Sequence, residues 1–182
     1  MEQYFLDLVK KRQSVRAYKT DAVEPEKIAR CIEAARLSPS ACNAQPWKFI
    51  VVDDQKIKNQ IADLTTTKMV PMNHFTKQAP VHVVLVMENP NLTSFVGSVI
   101  RDKPFTLIDI GIAAVQFCLQ ASAEGLGTCM IGWFNEKKVK KLLNIPSSKR
   151  AVLVITLGYP EDDTIREKIR KPVEQIYSRN SY

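Results

Sequence analysis

The sequence predicts a single three-layer domain in which helices surround a mixed β-sheet. Segments with the 3.6-residue spacing of helices alternate with short apolar runs, and no stretch of the chain repeats another. A length of 182 residues and a hydrophobic content of 45% suit one domain with a real core. The predicted strands are residues 48–53, 81–87, 128–131 and 151–157.

The first half of the chain contains three predicted helices. Residues 3–11 form a short helix with its apolar side chains on one side. Pro25 opens the second helix, because proline suits a first turn, and Pro39 prevents that helix from continuing. Asp53 and Asp54 cap the third helix, which buries the side chains of Ile57, Ile61 and Leu64.

The second half contains the most apolar segments. Residues 81–87 are apolar almost throughout, which is typical of a central strand, so His82 is interpreted as a satisfied sheet residue rather than a ligand. Residues 105–124 predict a helix that is buried nearly all round, at the centre of the domain or of a dimer interface. Gly125 suits the left-handed cap that ends this helix, and Asn135 caps a further one.

The chain is basic, with a net charge of +7 and a pI near 9.3, which is compatible with nucleic acid or with an anionic small molecule. Cationic side chains cluster at residues 10–19 and 137–141, and both clusters are also compatible with plain solvated surfaces. Neither is interleaved with the aromatic side chains that stack on bases. We therefore predict no nucleic-acid partner.

Membrane and metal sites are not predicted. No apolar run reaches the roughly 20 residues of a membrane span, and the N-terminus lacks the basic and apolar regions of a signal peptide. The cysteines have no paired CxxC spacing, and the two histidines lie apart from them. We expect a cytoplasmic protein with reduced thiols at Cys31, Cys42, Cys118 and Cys129.

Two arginines in the segment after the first helix are spaced to share a face. Arg12 and Arg16 lie together if the turn stays helical, whereas Arg12, Ser14 and Arg16 share one face if it becomes extended. Either geometry suits a phosphate, because the guanidinium fork matches phosphate oxygens. An exposed basic turn without a ligand is the alternative, and the segment alone does not decide between the two.

A stiff polar loop, residues 38–47, connects the second helix to the first strand. Prolines constrain both of its ends. Asn43 and Gln45 each carry hydrogen-bond donors and acceptors, which suits recognition of a planar polar heterocycle. The alternative is an ordinary connection whose amides bind their own backbone.

Three further features of the sequence are candidates for ligand contact. Gly132 interrupts an apolar run and so allows close approach of a ligand to the backbone, although a tight turn would also explain it. Residues 65–80 lack clear periodicity and are expected to lie over a pocket, with Asn73 the best polar candidate. Lys168 and Arg170 share a face if the polar tail is extended, and that tail has little core of its own.

Together these segments resemble the flavin-dependent nitroreductase family over essentially the full length of the chain. Their order and spacing are more specific than any one of them. The resemblance is carried by Arg12-Gln13-Ser14-Val15-Arg16, by Ser38-Pro39-Ser40-Ala41-Cys42-Asn43-Ala44-Gln45-Pro46-Trp47, by Gly125-Leu126-Gly127-Thr128 through Ile131-Gly132, and by Lys168-Ile169-Arg170.

The resemblance implies an α+β fold with a mixed, mostly antiparallel central sheet flanked by helices. It also implies a domain-exchanged homodimer that holds one FMN in each of two pockets at the subunit interface. Residues 1–182 would form one FMN-binding domain, with the tail at 161–182 extending onto the partner subunit.

The resemblance assigns FMN contacts to particular residues. Those of the N-terminal segment are Arg12, Gln13, Ser14 and Arg16, and Lys168 and Arg170 would join Arg12 around the phosphate. The loop that reaches the flavin from the other subunit would contribute Pro39, Ser40, Ala41 and Asn43. The backbone against the isoalloxazine ring near N5 would be that of Ile131 and Gly132.

The implied activity is a ping-pong transfer of hydride from NADH or NADPH, through flavin N5, to a nitroaromatic, a quinone or a similar electron-poor acceptor. No catalytic side chain is demanded: a cation at Arg16 and the N–H of Gly132 would tune the flavin. Cys42 is interpreted as a small loop residue rather than a nucleophile. The alternatives are reductive dehalogenation or flavin fragmentation on the same fold, and a basic ligand- or nucleic-acid-binding module without catalysis.

Overall fold

A computed structural model of the chain describes residues 4–66, 72–89 and 103–182. The helices in these ranges are α1 (Tyr4–Lys11), α2 (Pro25–Arg36), α3 (Gln55–Leu64), α4 (Phe105–Ala123) and α5 (Glu136–Leu142). The strands are β1 (Trp47–Val52), β2 (Val81–Met87), β3 (Gly127–Ile131) and β4 (Arg150–Gly158). Each predicted strand and helix is therefore present, within about two residues of its predicted ends.

The four strands form one sheet in the order β1-β2-β4-β3, and all three strand pairs are antiparallel. An isolated parallel bridge joins Ser14 to Thr128 on the outer edge of β3, which makes the sheet mixed. Side chains alternate between its two faces, so each face has its own core. One core includes residues of α2 and α4, and the other includes residues of α3 and α5, which gives the three layers.

Short polar signals set the ends of these elements. The Asp54 carboxylate accepts a hydrogen bond from the N–H of Ile57 at 2.8 Å, and the Asn135 side chain accepts one from the N–H of Lys138 at 3.1 Å. Gly125 ends α4 in the left-handed region, with φ of 78°. His82 is fully buried in β2, where one ring nitrogen is 2.9 Å from the carbonyl oxygen of Thr76.

The central helix α4 is more exposed than its sequence suggests. Leu107, Ile108 and Val115 are 51%, 51% and 40% exposed, and they follow one another along one side of the helix together with Gly111. The prediction of burial nearly all round is therefore wrong for the single chain, because apolar composition does not reveal what covers each face. We call these four residues the α4 face.

By length and composition alone, α4 could also cross a membrane. Half of its most apolar window is nevertheless buried inside the protein. Its inner side packs against α2 and the sheet, with Phe117 fully buried and its ring stacked on that of Phe49. This is the environment of a core helix in a globular domain.

An ion pair joins α2 to the end of α4. The Arg30 guanidinium donates to both carboxylate oxygens of Glu124 at 2.7 Å, and the Gln120 amide donates to the same carboxylate at 2.8 Å. The Glu124 side chain is 14% exposed. The bonded guanidinium lowers the pKa of Glu124 to about 2.

We predict that Glu124→Gln destabilises the protein at pH 7 and that this loss shrinks in acid. The pKa of Glu124 is lower in the folded chain than the roughly 4.3 of an unfolded glutamate, so the ionised pair stabilises the fold above about pH 4.3. That contribution disappears as the pH falls towards 2. Urea unfolding of both proteins at pH 7, 4 and 3 measures it.

The matched control for that prediction is Glu33→Gln. Glu33 makes a similar bidentate pair with Arg36, but the two side chains are 52% and 61% exposed. Exposed pairs contribute little, so this variant should lose less stability than Glu124→Gln at pH 7. An equal loss in the two variants, or a Glu124→Gln loss that is independent of pH, would contradict the prediction.

Candidate functional site

The segment after α1 is extended and lies along the outer edge of β3. Besides the bridge from Ser14 to Thr128, the N–H of Val15 donates to the carbonyl of Thr128 at 2.9 Å. Gly127 permits this approach, because a Cβ there would stand 2.6 Å from a methyl carbon of Val15. The strand alternative of the sequence is therefore the observed one, and it puts Arg12, Ser14 and Arg16 on one face.

A cationic cleft of about 310 Å³ lies between this segment and the C-terminal tail. Within the ranges that the structure describes, no carboxylate forms an ion pair with the arginines or the lysine of this cleft. Its lining residues are Arg12, Gln13, Ser14, Arg16, Arg166, Glu167, Lys168, Ile169 and Arg170.

The charges of the cleft act on one another. Partial burial, followed by the nearby cations Arg12, Arg170 and Arg166, lowers the pKa of Lys168. Burial raises the pKa of the Cys129 thiol in β3, and the Arg16 guanidinium partly offsets that rise, so Arg16 lies close to this strand. Among the described residues, these cations lie together without a close ion pair, although Glu167 also lines the cleft, and such an excess of positive charge favours an anion.

The tail is held on its own chain along the cleft. The Lys168 ammonium donates to the carbonyl of Lys10 at the end of α1, and the Arg166 guanidinium donates to the carbonyl of Ser14. Arg166 and Gln13 also bind each other. The structure therefore brings together the two basic segments that the sequence singled out separately.

A second cleft, of about 400 Å³, opens at the end of β3 next to Gly132. Its walls are largely apolar, with Met87, Leu107 and Phe134 among them. The Arg150–Glu136 ion pair, at 2.7 Å, stands at the rim. Among the described residues other than its two chain neighbours, no atom would lie within 4 Å of a Cβ at Gly132, so a flat ligand has open access to this backbone.

The loop at residues 38–47 holds an unusual backbone conformation. Cys42, Asn43 and Gln45 all lie in the left-handed region, with φ of 52°, 51° and 46°. Non-glycine residues in this region carry a conformational cost, and such strain clusters at functional sites. The Ser40 hydroxyl accepts from the N–H of Gln45 at 3.0 Å, and the Gln45 amide donates to the Asn43 side chain at 2.9 Å.

Asp109 anchors this loop to α4. Its carboxylate is 3% exposed, and one oxygen accepts from the N–H of Ala41 at 3.1 Å. The other oxygen has no hydrogen-bond partner among the residues that the structure describes, and the same holds for the buried hydroxyl of Ser38. The base of the loop is thus fixed to the core helix.

One chain does not bring the loop into either cleft. Residues 39–45 line neither the cationic cleft nor the cleft beside Gly132. The loop leads into β1, three strand spacings from β3, which is a distance of about 14 Å. Asn73 also lies elsewhere: its side chain donates to the carbonyl of Thr65 at 3.0 Å. Five residues of the 65–80 segment, 67–71, fall outside the described ranges.

Two residues of the site were not singled out from the sequence. Arg166 stands in the same basic tail as Lys168 and Arg170, so its type was visible but its contact with Gln13, 153 positions away, was not. Asp109 is an acid inside an otherwise apolar helix, and that contrast was a signal that could have identified it.

Comparisons with known proteins identify a family for the chain. The model of the nitroreductase family matches residues 9–159. An oxygen-insensitive NADPH nitroreductase of Helicobacter pylori is 28% identical over 208 residues, covering 94% of this chain and 98% of the relative. An iodotyrosine deiodinase of Thermotoga neapolitana is 27% identical over 176 residues, covering 86% and 88%.

A solved structure shows the same fold. It is a nitroreductase family protein of Clostridium novyi NT, 35% identical, with a TM-score of 0.77 over 90% of this chain and 88% of that one. The predicted α+β fold with a mixed, mostly antiparallel sheet is therefore confirmed.

Proposed function

Because the chain belongs to the nitroreductase family, we propose that it is an FMN-dependent NAD(P)H oxidoreductase that reduces nitroaromatics, quinones or similar electron-poor acceptors. The observation that carries this proposal is the cationic cleft. Its cations include four side chains assigned from the sequence: Arg12, Arg16, Lys168 and Arg170. Among the described residues they have no carboxylate partner, so a dianionic phosphate is the group that the cleft fits.

The phosphate end of the site would be formed within one chain. Arg12 and Arg170 offer forked donors, and Lys168 offers a point charge that faces the same cleft. The hydroxyl of Ser14, on the same face of the extended segment, is a further donor. These residues would bind FMN through its phosphate and set its position along β3.

The flavin ring would lie beside β3, between Arg16 in the neighbouring extended segment and Gly132 directly after the strand. When bound, FMN supplies hydride acceptance at N5 and hydride donation to the acceptor. The Arg16 guanidinium would stabilise negative charge on the reduced ring, and the N–H of Gly132 would donate a hydrogen bond to N5. The open backbone of Gly132 and the apolar cleft beside it fit a planar ring.

No protein acid or nucleophile enters this mechanism. His82 is buried in the sheet, where burial lowers its pKa to about 4. Cys31, Cys118 and Cys129 are buried thiols, and burial raises the pKa of each. The chain's own residues therefore bind, orient and polarise, and the proton on the product would come from solvent.

We also propose a cytoplasmic homodimer that packs through the α4 face. This face presents Leu107, Ile108 and Val115 to solvent around Gly111, and the nearby α1 exposes Tyr4 and Phe5 at 69% and 64%. Contiguous apolar surface of this kind marks an interface. A two-fold dimer would bring the loop of one subunit, with Pro39, Ser40, Ala41 and Asn43, to the clefts of the other.

The tail is expected to contribute to the same dimer. Beyond Arg170, the side chains of three apolar residues are left largely uncovered by the described part of their own chain: Val173, Ile176 and Tyr177 are 62%, 71% and 64% exposed. Residues 164–168 contact residues 10–14 of their own chain, so the part free to cross to the partner begins after this point.

The proposal predicts a yellow protein that NADH or NADPH bleaches under anaerobic conditions. The test is to load the purified protein with FMN, follow the flavin absorbance at equilibrium, and then mix it with each nicotinamide. A quinone or a nitroaromatic should then reoxidise the reduced flavin and restore the yellow colour, with one two-electron transfer for each flavin. A protein that binds no FMN, or bound FMN that neither nicotinamide reduces, would overturn the proposal.

Reductive dehalogenation is the second candidate, because one relative is named as an iodotyrosine deiodinase. The two reactions share the cofactor site and differ in the acceptor. Iodotyrosine should therefore be included in the anaerobic acceptor panel, with release of iodide as its readout. Rapid reoxidation by iodotyrosine and slow reoxidation by quinones and nitroaromatics would favour the second candidate.

A further inference from the structure

The side chain of Gln13 is bound at both of its polar atoms by the tail of its own chain. Its Nε2 donates to the carbonyl of Thr164 at 2.7 Å, and its Oε1 accepts from the N–H and the Nε of Arg166, both at 3.1 Å. The Nη2 of Arg166 donates to the carbonyl of Ser14. We call these four contacts the clasp.

The clasp engages the polar atoms of Gln13 and Arg166 that would otherwise be available to a ligand in the cationic cleft. Two nitrogens of the Arg166 guanidinium and both polar atoms of the Gln13 amide are engaged. The fork of Arg166 spans two acceptors, the Gln13 oxygen and the Ser14 carbonyl oxygen, which a lysine ammonium cannot match in geometry. By contrast, the Arg170 guanidinium donates only to the neighbouring carbonyl of Ile169 at 2.7 Å, and the Arg12 guanidinium has no hydrogen bond or ion pair among the described residues.

Outside the clasp, two hydrogen bonds among the described residues hold the tail: the N–H of Glu161 donates to the carbonyl of Ala17 at 3.0 Å, and the Lys168 ammonium donates to the carbonyl of Lys10. Every residue from 161 to 182 is exposed except Lys168, which is half-buried, so apolar packing does not fix this segment. The cleft also gathers Lys168, Arg170 and Arg12 without an ion pair to any described carboxylate, and their mutual repulsion opposes the observed position. Hydrogen bonds, chiefly those of the clasp, must therefore hold the tail against α1 and β3.

We propose that Gln13 and Arg166 are positioning residues that hold Lys168 and Arg170 beside Arg12 and so preorganise the phosphate site. This inference rests on the proposed function, in which that site binds FMN. It gives Gln13 a role through the tail rather than a contact with the cofactor. Ordering the two phosphate-binding side chains in advance lowers the entropic cost of binding.

Two variants and their combination test the clasp. Gln13→Ala removes the amide, and Arg166→Lys keeps the charge while it removes the fork. Each substitution should weaken FMN binding about tenfold. The double variant should bind FMN no more weakly than the weaker-binding of the two single variants, because both substitutions break the same set of hydrogen bonds. Riboflavin, which lacks the phosphate, should bind to all three as it does to the wild type. Equilibrium titration of flavin fluorescence measures both ligands.

Arg179→Lys is the matched control. Arg179 is an exposed tail arginine without a hydrogen bond or ion pair among the described residues, so its replacement should leave FMN binding unchanged. Several outcomes would overturn the proposal: full FMN affinity in Arg166→Lys, losses that add in the double variant, an equal loss for riboflavin, or an equal loss in Arg179→Lys.

A measurement without flavin separates this inference from the proposed function. Amide hydrogen exchange of Arg166 in the flavin-free protein should be slowed in the wild type, because its N–H is bonded to Gln13, and fast in Gln13→Ala. Failure of the wild type to bind FMN, with the Arg166 amide still protected, would refute the proposed function and leave the clasp standing. FMN binding that is insensitive to both substitutions would refute the clasp alone.

Discussion

Replacing Arg12 or Arg170 with alanine should weaken FMN binding by about 10- to 100-fold, since each loses a charged hydrogen bond worth about 1.5–3 kcal/mol. Both side chains line the cationic cleft without a carboxylate partner among the described residues. The double variant should lose its flavin during gel filtration. Equilibrium titration with FMN gives the dissociation constants, and riboflavin titration shows whether the loss belongs to the phosphate.

Lys141→Ala provides the control for net charge. Lys141 is exposed on α5, in the other basic cluster of the chain, and its removal changes the total charge by the same amount. It should leave FMN affinity unchanged, because Lys141 does not line the cationic cleft and salt screens exposed charges. Unchanged flavin affinity in both Arg12→Ala and Arg170→Ala would show that the cleft is not the phosphate site.

The fold could be predicted from the sequence because its signals are local. Apolar runs of strand length and residues such as Asp54, Asn135 and Gly125 mark where each element begins or ends, and each acts within one helical turn. The order of the strands depends on contacts between distant segments, so only the resemblance to the family indicated a mostly antiparallel sheet. The exposed side of α4 was not predicted for the same reason, because the apolar composition of a helix does not show which of its faces other parts of the chain cover.

In the candidate site, too, the local features could be predicted from the sequence and the contacts between distant segments could not. Arg12, Arg16, Lys168 and Arg170 were identified by residue type and spacing, but the sequence alone left the helical and extended geometries open. The hydrogen bond from Val15 to Thr128 decides for the extended one, across more than 100 residues. The clasp likewise joins residues that are far apart in the sequence, Gln13 and Arg166, and no local sequence pattern predicts it.

The loop at residues 38–47 shows a further limit of sequence reasoning. Prolines and amides indicated a stiff polar connection, whereas the left-handed conformations of Cys42 and Gln45 could not be read from residue types that rarely adopt them. The hydrogen bond to Asp109 comes from a different element of the chain. Strain of this kind is imposed by the surrounding structure, which is why it appears only when the fold is assembled.

Ile108→Glu should convert the dimer to monomers and remove most of the bound flavin. Ile108 belongs to the α4 face and is 51% exposed in the single chain, where a two-fold dimer would bury it. An uncompensated buried charge costs about 3–5 kcal/mol, and symmetry places a second one opposite the first. Analytical ultracentrifugation with detection at flavin wavelengths reports mass and occupancy together.

FMN occupancy is the informative part of that experiment, because the cationic cleft lies within one chain and the loop with Asn43 does not reach it. If the partner's loop completes the site, Ile108→Glu monomers should bind FMN more weakly although Arg12 and Arg170 are intact. Gln60→Glu, an equal change in charge on the exposed side of α3, should remain a loaded dimer. Monomers with full FMN affinity would place the whole site in one subunit, and a loaded Ile108→Glu dimer would move the interface away from α4.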